Sequence, residues 1–374
     1  MYLTTYITNH TKPQTDYNSI MQQSDSNTEI ITYKTTIKID NPVPIENLSD
    51  KQFQHIINVV TAINKAYDTL SPFKNNYTEQ YYEFKIPKRT GGLRTINAPK
   101  TEFKEALSTV KDIFEQQIKC LPHDAAYAYV KFRSTYDAIE KHQKNNSNWY
   151  LKLDLTDFFP SCTPEFIYNQ LTQLYPFYYI TQYEQETTNK LKEIIKICCL
   201  NNGLPQGTPM SPLLTNLVMV PYDYEIHNTL KRGLGDHFVY TRYADDILIS
   251  SKSAFDWKYI QTIVSGCLRH FQIKEQKTRY GSKAGSNWNL GLMLNKDNNI
   301  TLGHNKKKIL NAMLNNFLKD FHNNTLWSKQ DVYELQGQLS YLVHIEPEYY
   351  THIKNKYQEK YNTNLKTAIK TILN

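Results

Sequence analysis

Two adjacent aspartates, Asp245 and Asp246, interrupt an apolar stretch within the segment HFVYTRYADDILISS, residues 237–251. The flanking residues have the aromatic, β-branched and apolar composition of strands, so the pair is predicted to lie in the turn of a hairpin. Aspartate-rich turns are common, but a buried carboxylate is costly unless it is paired or binds a metal. Because apolar strands on both sides place this turn against a packed sheet, we interpret the pair as part of a functional site.

A second acidic segment, LKLDLTDFFPS, occupies residues 151–161. Leucines alternate with polar residues here, so in a strand Asp154 projects from the face opposite the leucines. If this strand lies beside the hairpin, Asp154 meets Asp245 near the turn. Two or three convergent carboxylates suit a pair of Mg²⁺ ions, which prefer oxygen ligands and catalyse phosphoryl transfer when about 3.5–4 Å apart. Asp157 is interpreted instead as a turn or helix-cap residue.

The bulk composition argues against several classes of protein. Lys and Arg number 43 against 36 Asp and Glu, and the resulting net charge of +7 only weakly favours a polyanionic partner. The five cysteines show no CxxC spacing, which argues against a zinc site or a disulfide framework. The sequence shows neither a secretory leader pattern nor an apolar run long enough to span a bilayer. We therefore expect a cytoplasmic protein that does not enter a membrane.

Local patterns predict a mixture of helices and strands. A hairpin is predicted at 81–100, and apolar residues have helical spacing at 51–70 and 255–271. A loop at 203–212 precedes a further helix, with Ser211 as its predicted cap and Pro221 as its kink or end. Strands and helices do not follow a regular βαβ order, so the expected fold class is α+β with an antiparallel sheet.

These segments together resemble the reverse transcriptases. YADD resembles their motif C, and LDLTDFFPS resembles their motif A. Four further segments resemble motif B, the fingers hairpin, the GF-x-x-x-RS-like segment and the primer-grip hairpin of bacterial and group II intron members: GLPQGTPMSP (203–212), GGLRTINAPK (91–100), AYVKFRSTYDAI (128–139) and NLGLMLN (289–295). The order is that of the family, and the resemblance covers about residues 81–300. It implies an RNA-directed DNA polymerase with a right-hand fold.

The resemblance also implies a division of the chain into the parts of a hand. The expected parts are an N-terminal extension at 1–50, fingers at 51–150 and 165–205, a palm at 150–164 and 206–300, and a short helical thumb at 301–374. Lys306, Lys307 and Lys308 open an amphipathic helix there, whose apolar residues are Ile309, Leu310, Met313, Leu314 and Phe317. Such a helix is suited to following the backbone of a duplex, and a solvated helix start is the alternative.

Catalytic roles follow from the resemblance position by position. Asp154 and Asp245 would bind two Mg²⁺ ions, with Mn²⁺ as the alternative metal. The backbone carbonyl of Leu155 would assist, and Asp246 would be the third essential carboxylate. Lys277 aligns with a motif D lysine that would protonate the leaving pyrophosphate, although an ordinary surface lysine is an equal alternative.

Nucleotide contacts are implied in the same way. Arg94 would bind the triphosphate of the incoming nucleotide, with Lys85 and Lys88 as further candidates on the same hairpin. Phe159 would be the steric gate that excludes a 2′-hydroxyl. A core position is the alternative, and one of the neighbours Phe158 and Phe159 is expected to lie in the core. Two residues of the motif B loop, Gln206 and Gly207, would bring the backbone close to the incoming base and sugar.

The implied partners are an RNA template, a cognate non-coding RNA included, together with dNTPs and a DNA product; a protein partner or oligomer is left open. Retron enzymes carry N-A-x-x-H and V-T-G segments, whereas the corresponding stretches here read DAIEKH and NLGLML. By analogy, we expect a compact bacterial enzyme of anti-phage defence. The alternatives are a template-independent or protein-primed polymerase of the abortive-infection type, and a non-catalytic RNA-binding subunit on a polymerase scaffold.

Overall fold

The computed structural model describes residues 43–87, 91–118, 123–283 and 290–373. Its helices of seven or more residues are, in chain order, α1 (Asp50–Leu70), α2 (Thr101–Gln117), α3 (Thr135–Lys144), α4 (Pro164–Leu171), α5 (Phe177–Tyr183), α6 (Gln185–Ile197), α7 (Met210–Leu234), α8 (Trp257–Leu268), α9 (His304–His322), α10 (Lys329–Ile345), α11 (Pro347–Tyr361) and α12 (Leu365–Leu373). Its strands are β1 (Tyr81–Pro87), β2 (Leu93–Pro99), β3 (Trp149–Asp154), β4 (Phe238–Tyr243), β5 (Asp246–Ser251), β6 (Arg279–Ser282), β7 (Met293–Leu294) and β8 (Ile300–Thr301). The predictions for residues 1–42 and for Lys88 lie outside the described residues.

The chain forms two compact units. The first contains the described residues up to Tyr129 together with Leu155–Thr229 and Ile263–Ile273, and the second contains Val130–Asp154, Leu230–Thr262 and the described residues from Lys274 onward. Part of the expected N-terminal extension packs into the first unit, because Ile45 and Leu48 are buried there. The boundaries of fingers, palm and thumb remain a prediction.

Helix packing builds the core of the first unit. A capping box starts α1, in which the Ser49 hydroxyl accepts the Gln52 amide and the Gln52 side chain accepts the Ser49 amide. One face of α1 packs against α2 and α6, and its buried residues recur at helical spacing: Ile56, Val59, Ala62, Ile63, Ala66 and Leu70. The strands β1 and β2 form a separate antiparallel hairpin.

An antiparallel sheet with the order β4–β5–β3–β6 is the centre of the second unit. One face is apolar, with Leu151 and Leu153 of β3 paired in register with Ile249 and Ile247 of β5. All four side chains are fully buried. Because side chains alternate along a strand, Asp154 and Asp246 share the opposite face.

The C-terminal helices supply most of a large apolar cluster in this unit. Helix α9 packs against α10 and α11, and α10 packs against α11 and α12. Buried members of the cluster come from all four helices and from the β7–β8 hairpin, including Leu294, Leu314, Leu335, Ile353 and Ile372. No helix within the described residues is both long and apolar enough to cross a membrane.

The predicted cap of α7 is wrong, and only one of the two alternatives for Pro221 is excluded. The helix begins at Met210, and Thr208 rather than Ser211 supplies the cap, because the Thr208 hydroxyl accepts the Ser211 amide at 3.2 Å. The Ser211 hydroxyl instead donates to the Pro205 carbonyl at 2.7 Å. Pro221 does not end the helix, which continues to Leu234.

The predicted amphipathic helix after residue 303 is α9, but two of its residues differ from expectation. Ile309 is 65% exposed and does not belong to the apolar face. Lys307 makes two contacts within the second unit. Its Nζ forms an ion pair with Glu346 Oε2 at 2.9 Å and lies 5.0 Å from the ring centroid of Tyr349. Its contacts therefore favour a structural role over contact with a duplex.

Candidate active site

The Asp245–Asp246 pair lies at the turn that joins β4 to β5. Ala244 and Asp245 form a two-residue loop between Tyr243 and Asp246, which are paired in register. Ala244 has a φ of 57°, a left-handed value that fits the first loop residue of a tight hairpin. The fully buried Arg242 donates from Nη1 to the Ala244 carbonyl at 3.2 Å. This contact stabilises the turn. It was not predicted from the sequence, although an arginine inside an apolar strand could have indicated a buried structural role.

Strand pairing brings the three predicted aspartates together. Asp154, the last residue of β3, is the register partner of Asp246, the first residue of β5. Asp245 is the adjacent turn residue, and Asp154 and Asp246 both act electrostatically on its carboxylate. The three aspartates therefore lie at the same end of the sheet, although Asp154 and Asp245 are almost a hundred residues apart in the sequence.

Negative charge at this end of the sheet is only partly offset by two lysines. Lys277 Nζ donates to both carboxylate oxygens of Asp154, at 2.9 and 2.7 Å. Lys152 Nζ lies 2.8 Å from Asp246 Oδ1, and this partner was not predicted from the sequence. Burial raises the pKa of Asp245, and the neighbouring charges of Asp246 and Asp154 raise it further.

This donor set fits a hard divalent cation. It offers carboxylate oxygens in a partly buried, electronegative setting, and a bound cation would offset the charge that raises the pKa of Asp245. Within the described residues, no group of three or more His, Cys, Asp or Glu side chains could hold a metal ion. Mg²⁺ is nevertheless usually held by one or two carboxylates with waters and substrate phosphates completing its shell, so two aspartates are a sufficient protein contribution.

A buried histidine packs on the face of the sheet that carries Asp154 and Asp246, farther from the β4–β5 turn. His142 of α3 is fully buried, and its Nδ1 and Nε2 lie 2.5 Å from Ser250 Oγ and 2.8 Å from Thr241 Oγ1. Ser250 donates onward to Ser147 at 2.7 Å. The arrangement satisfies a neutral imidazole that donates to Ser250 and accepts from Thr241. Burial, followed by the charge of Lys141, lowers the pKa of His142 to about 3.

This pKa predicts a loss of stability in acid. The unfolded chain binds a proton on this histidine near its ordinary pKa of about 6.5, whereas the folded chain resists it until about pH 3, so lowering the pH favours unfolding. Between pH 7 and pH 5, the wild type should lose about 2 kcal/mol more unfolding free energy than His142→Gln. Urea unfolding of both proteins at the two pH values measures this difference. Identical pH dependence would show that His142 does not titrate as described.

The motif B loop contacts the β1–β2 hairpin within the first unit. The Asn97 amide donates to the Gln206 carbonyl at 3.2 Å. Gly207 has a φ of 113°, and a Cβ placed there would lie 3.0 Å from Ile96 Cγ2. Glycine is favoured at this position because its positive φ would strain any other residue and because a Cβ would crowd the hairpin, a contact that the sequence did not indicate.

Phe159 and Phe158 have different surroundings. Phe158 is buried, and its ring centroid lies 5.3 Å from that of Phe271. Phe159 is only partly buried, and its ring meets Tyr129 edge-on at 6.4 Å. The Phe159 carbonyl accepts the Leu204 amide at 3.1 Å, which ties motif A to motif B.

The hairpin separates its two described cationic candidates. In the β1–β2 register, Arg94 pairs with Ile86 and Lys85 pairs with Thr95. Neighbouring pairs project to opposite faces, so Arg94 and Lys85 lie on different sides of the hairpin, both exposed.

Leu155, the predicted carbonyl ligand, forms an isolated bridge with Ile273 in the first unit.

A family model described as reverse transcriptase (RNA-dependent DNA polymerase) matches residues 86–305, more than half of the chain. The chain thus belongs to the reverse transcriptase family and is an RNA-directed DNA polymerase. The predicted fold class, the α+β right-hand polymerase fold, is confirmed by this membership and by the mixture of helices with an antiparallel sheet.

The relatives are of bacterial retron type. The chain is 29% identical to the retron Ec83 reverse transcriptase of Escherichia coli, over 81% of this chain and 95% of that enzyme. It is 32% identical to the retron Ec73 reverse transcriptase of the same organism, over 73% and 85%. The predicted resemblance to bacterial retron-type enzymes is therefore confirmed, despite the departures at DAIEKH and NLGLML.

Among solved structures, a telomerase from Candida albicans in complex with a fragment of telomeric RNA has a TM-score of 0.44 at 14% identity. The match covers 78% of this chain and 63% of the telomerase chain, which is less than two thirds of its length.

Proposed function

We propose that this reverse transcriptase extends a primer on an RNA template with two Mg²⁺ ions held by Asp154, Asp245 and Asp246. The observation that carries the proposal is the β3–β5 register, which pairs Asp154 with Asp246 beside the turn that holds Asp245. When bound, such ions supply Lewis acidity that activates the primer 3′-hydroxyl and neutralises the leaving pyrophosphate. Mn²⁺ is the alternative metal, and the Leu155 carbonyl is a proposed additional ligand.

Two lysines have proposed roles in charge balance. Lys277 holds Asp154 through both carboxylate oxygens and Lys152 pairs with Asp246, and these contacts are proposed to keep the aspartates in place. The Lys277 side chain is 51% exposed, and its ammonium is proposed to leave Asp154 and donate a proton to the pyrophosphate.

Nucleotide selection is proposed to involve residues of the first unit. Arg94 binds the triphosphate, and Phe159 excludes a 2′-hydroxyl. Gln206 and Gly207 approach the base and sugar, supported by the contact of their loop with the hairpin. Lys85 is a weaker candidate because it lies on the opposite face from Arg94, and Lys88 is proposed on the resemblance alone.

The biological role is proposed from the relatives. Similarity to retron enzymes supports a dedicated structured RNA as template, a DNA product made from dNTPs, and a role in bacterial anti-phage defence. The three juxtaposed aspartates favour a catalytic enzyme over a non-catalytic RNA-binding subunit.

The test is to purify the chain with its bound nucleic acid, sequence that nucleic acid, and assay extension of a primer on a heteropolymeric RNA with Mg²⁺ or Mn²⁺. A discrete structured RNA and a product complementary to the template are expected. DNA synthesis that persists without template would replace the proposal with template-independent polymerisation. A product that migrates covalently attached to the chain would indicate protein priming.

Arg94→Ala should lower kcat/KM for dNTPs. A charge-assisted contact to phosphate contributes about 1.5–3 kcal/mol, so a loss of roughly ten- to hundredfold is expected. Lys85→Ala is the comparison variant, because it removes the weaker candidate from the opposite face of the same hairpin, and its loss of kcat/KM should be smaller. Single-nucleotide incorporation at varied dNTP concentration measures both. Unchanged dNTP kinetics with weakened RNA affinity would make Arg94 a template contact.

A further inference from the structure

Phe132 is an aromatic residue in an unusual position. Its relative exposure is 102%, so its ring makes no use of the core. Its φ is 62°, a left-handed value that bulky residues rarely adopt and that is energetically unfavourable. An exposed ring on a strained backbone stabilises nothing in the fold, and strain of this kind concentrates at binding sites.

The segment that carries Phe132 is firmly held. The Arg133 amide donates to the Val130 carbonyl at 3.2 Å, which closes the turn around Phe132. Ser134 begins α3 with a capping box: its hydroxyl accepts the Asp137 amide, and the Asp137 carboxylate accepts the Ser134 amide at 2.7 Å. The ring is therefore presented on an anchored turn, which lowers the conformational cost of binding.

We propose that Phe132 stacks against an unpaired base of an RNA strand. The basic residues on either side, Lys131 and Arg133, favour a polyanion, and the activity of the family requires RNA. A ring exposed on both faces suits a flat base, because every nucleobase has a π-face. Among the exposed large hydrophobic residues of the described chain, Phe132 has by far the highest relative exposure, and Tyr129, three residues before it, is 54% exposed. A protein-docking surface would instead present a contiguous apolar patch.

The experiment measures RNA binding and folding in parallel. Full-length wild type, Phe132→Ala, Phe132→Gly and Phe132→Trp are titrated against a short unstructured fluorescein-labelled RNA in metal-free buffer without dNTPs. RNA binding under these conditions needs neither catalysis nor the proposed Mg²⁺ site. A failure of this proposal can therefore be distinguished from a failure of the proposed catalytic function. Tyr259→Ala is the matched control, because Tyr259 is a 60% exposed aromatic on α8 in the same unit.

Affinity should fall by about tenfold or more in Phe132→Ala and Phe132→Gly, and should persist in Phe132→Trp and Tyr259→Ala. The unfolding midpoint of Phe132→Gly should equal or exceed that of the wild type, because glycine adopts a left-handed φ without strain. Unchanged affinity in Phe132→Ala would overturn the proposal. So would a lowered midpoint in Phe132→Gly, or an equal loss of affinity for fully base-paired RNA.

A second pair of probes shows whether the stacked base belongs to the template strand or to another unpaired region of RNA. These are a template–primer duplex with a single-stranded template overhang and the same duplex without it. A loss confined to the overhang substrate would support stacking on the template strand. A loss seen with the free single strand but with neither duplex would support stacking on another unpaired region of RNA.

Discussion

Replacing Asp245 and Asp246 together by asparagine is expected to lower nucleotide incorporation by at least about a thousandfold, while the chain stays folded. Asparagine keeps the shape of aspartate but removes the charge that would hold the metal ions. Each tenfold loss of rate corresponds to about 1.4 kcal/mol of transition-state stabilisation, and metal ions supply several kcal/mol of it. Primer extension on a defined RNA template with Mg²⁺ measures the loss. Incorporation near the wild-type rate would rule out this site.

The control for this pair is Asp297→Asn, which removes a carboxylate from an exposed turn of the same unit and should leave incorporation unchanged. Thermal unfolding gives a readout that does not depend on activity. Mg²⁺ should raise the midpoint of the wild type, because a ligand that binds the folded chain stabilises it, but not that of the double variant.

In metal-free buffer at neutral pH, Asp245→Asn alone should raise the unfolding free energy, since the raised pKa of Asp245 means that the fold disfavours its ionised form.

Phe159→Val is expected to relax sugar selection by about a hundredfold in the ratio of dNTP to NTP incorporation. The variant keeps an apolar wall but removes the ring that would clash with a 2′-hydroxyl, and discrimination by one such clash corresponds to a few kcal/mol. Phe159 is suited to this role because its ring is only partly buried while its carbonyl is fixed by the Leu204 amide. Single-nucleotide incorporation of dNTPs and matching NTPs on one RNA template measures the ratio.

Phe158→Val is the matched control for sugar selection. Phe158 is 3% exposed and packs against Phe271, so its truncation should lower the unfolding free energy and reduce both activities together. The dNTP/NTP ratio should then stay constant. A constant ratio in a well-folded Phe159→Val would assign sugar choice to another residue, and a wild type that uses both sugars equally would remove the gate altogether.

Local patterns were sufficient to predict several of the elements. The hairpin at Tyr81–Pro87 and Leu93–Pro99 and the helix at Asp50–Leu70 follow from alternation and helical spacing, which depend only on near neighbours in the chain. The start of the helix near residue 210 was predicted correctly, but the residue predicted to cap it was wrong. Thr208 and Ser211 are both good caps by residue type, and Ser211 is instead engaged by the Pro205 carbonyl. Propensity alone does not distinguish two such candidates.

The sequence by itself predicted which residues would carry the chemistry, because motifs in a fixed order point to particular positions: Asp154, Asp245 and Asp246. Tertiary structure alone decided how they are supported. Lys277 reaches Asp154 across 123 positions of the chain, and His142 reaches Ser250 across 108. Contacts at such separations depend on strand register and on which helix covers which face, and no local pattern encodes either. For the same reason, the exposure of Phe132 emerged only when the chain was folded.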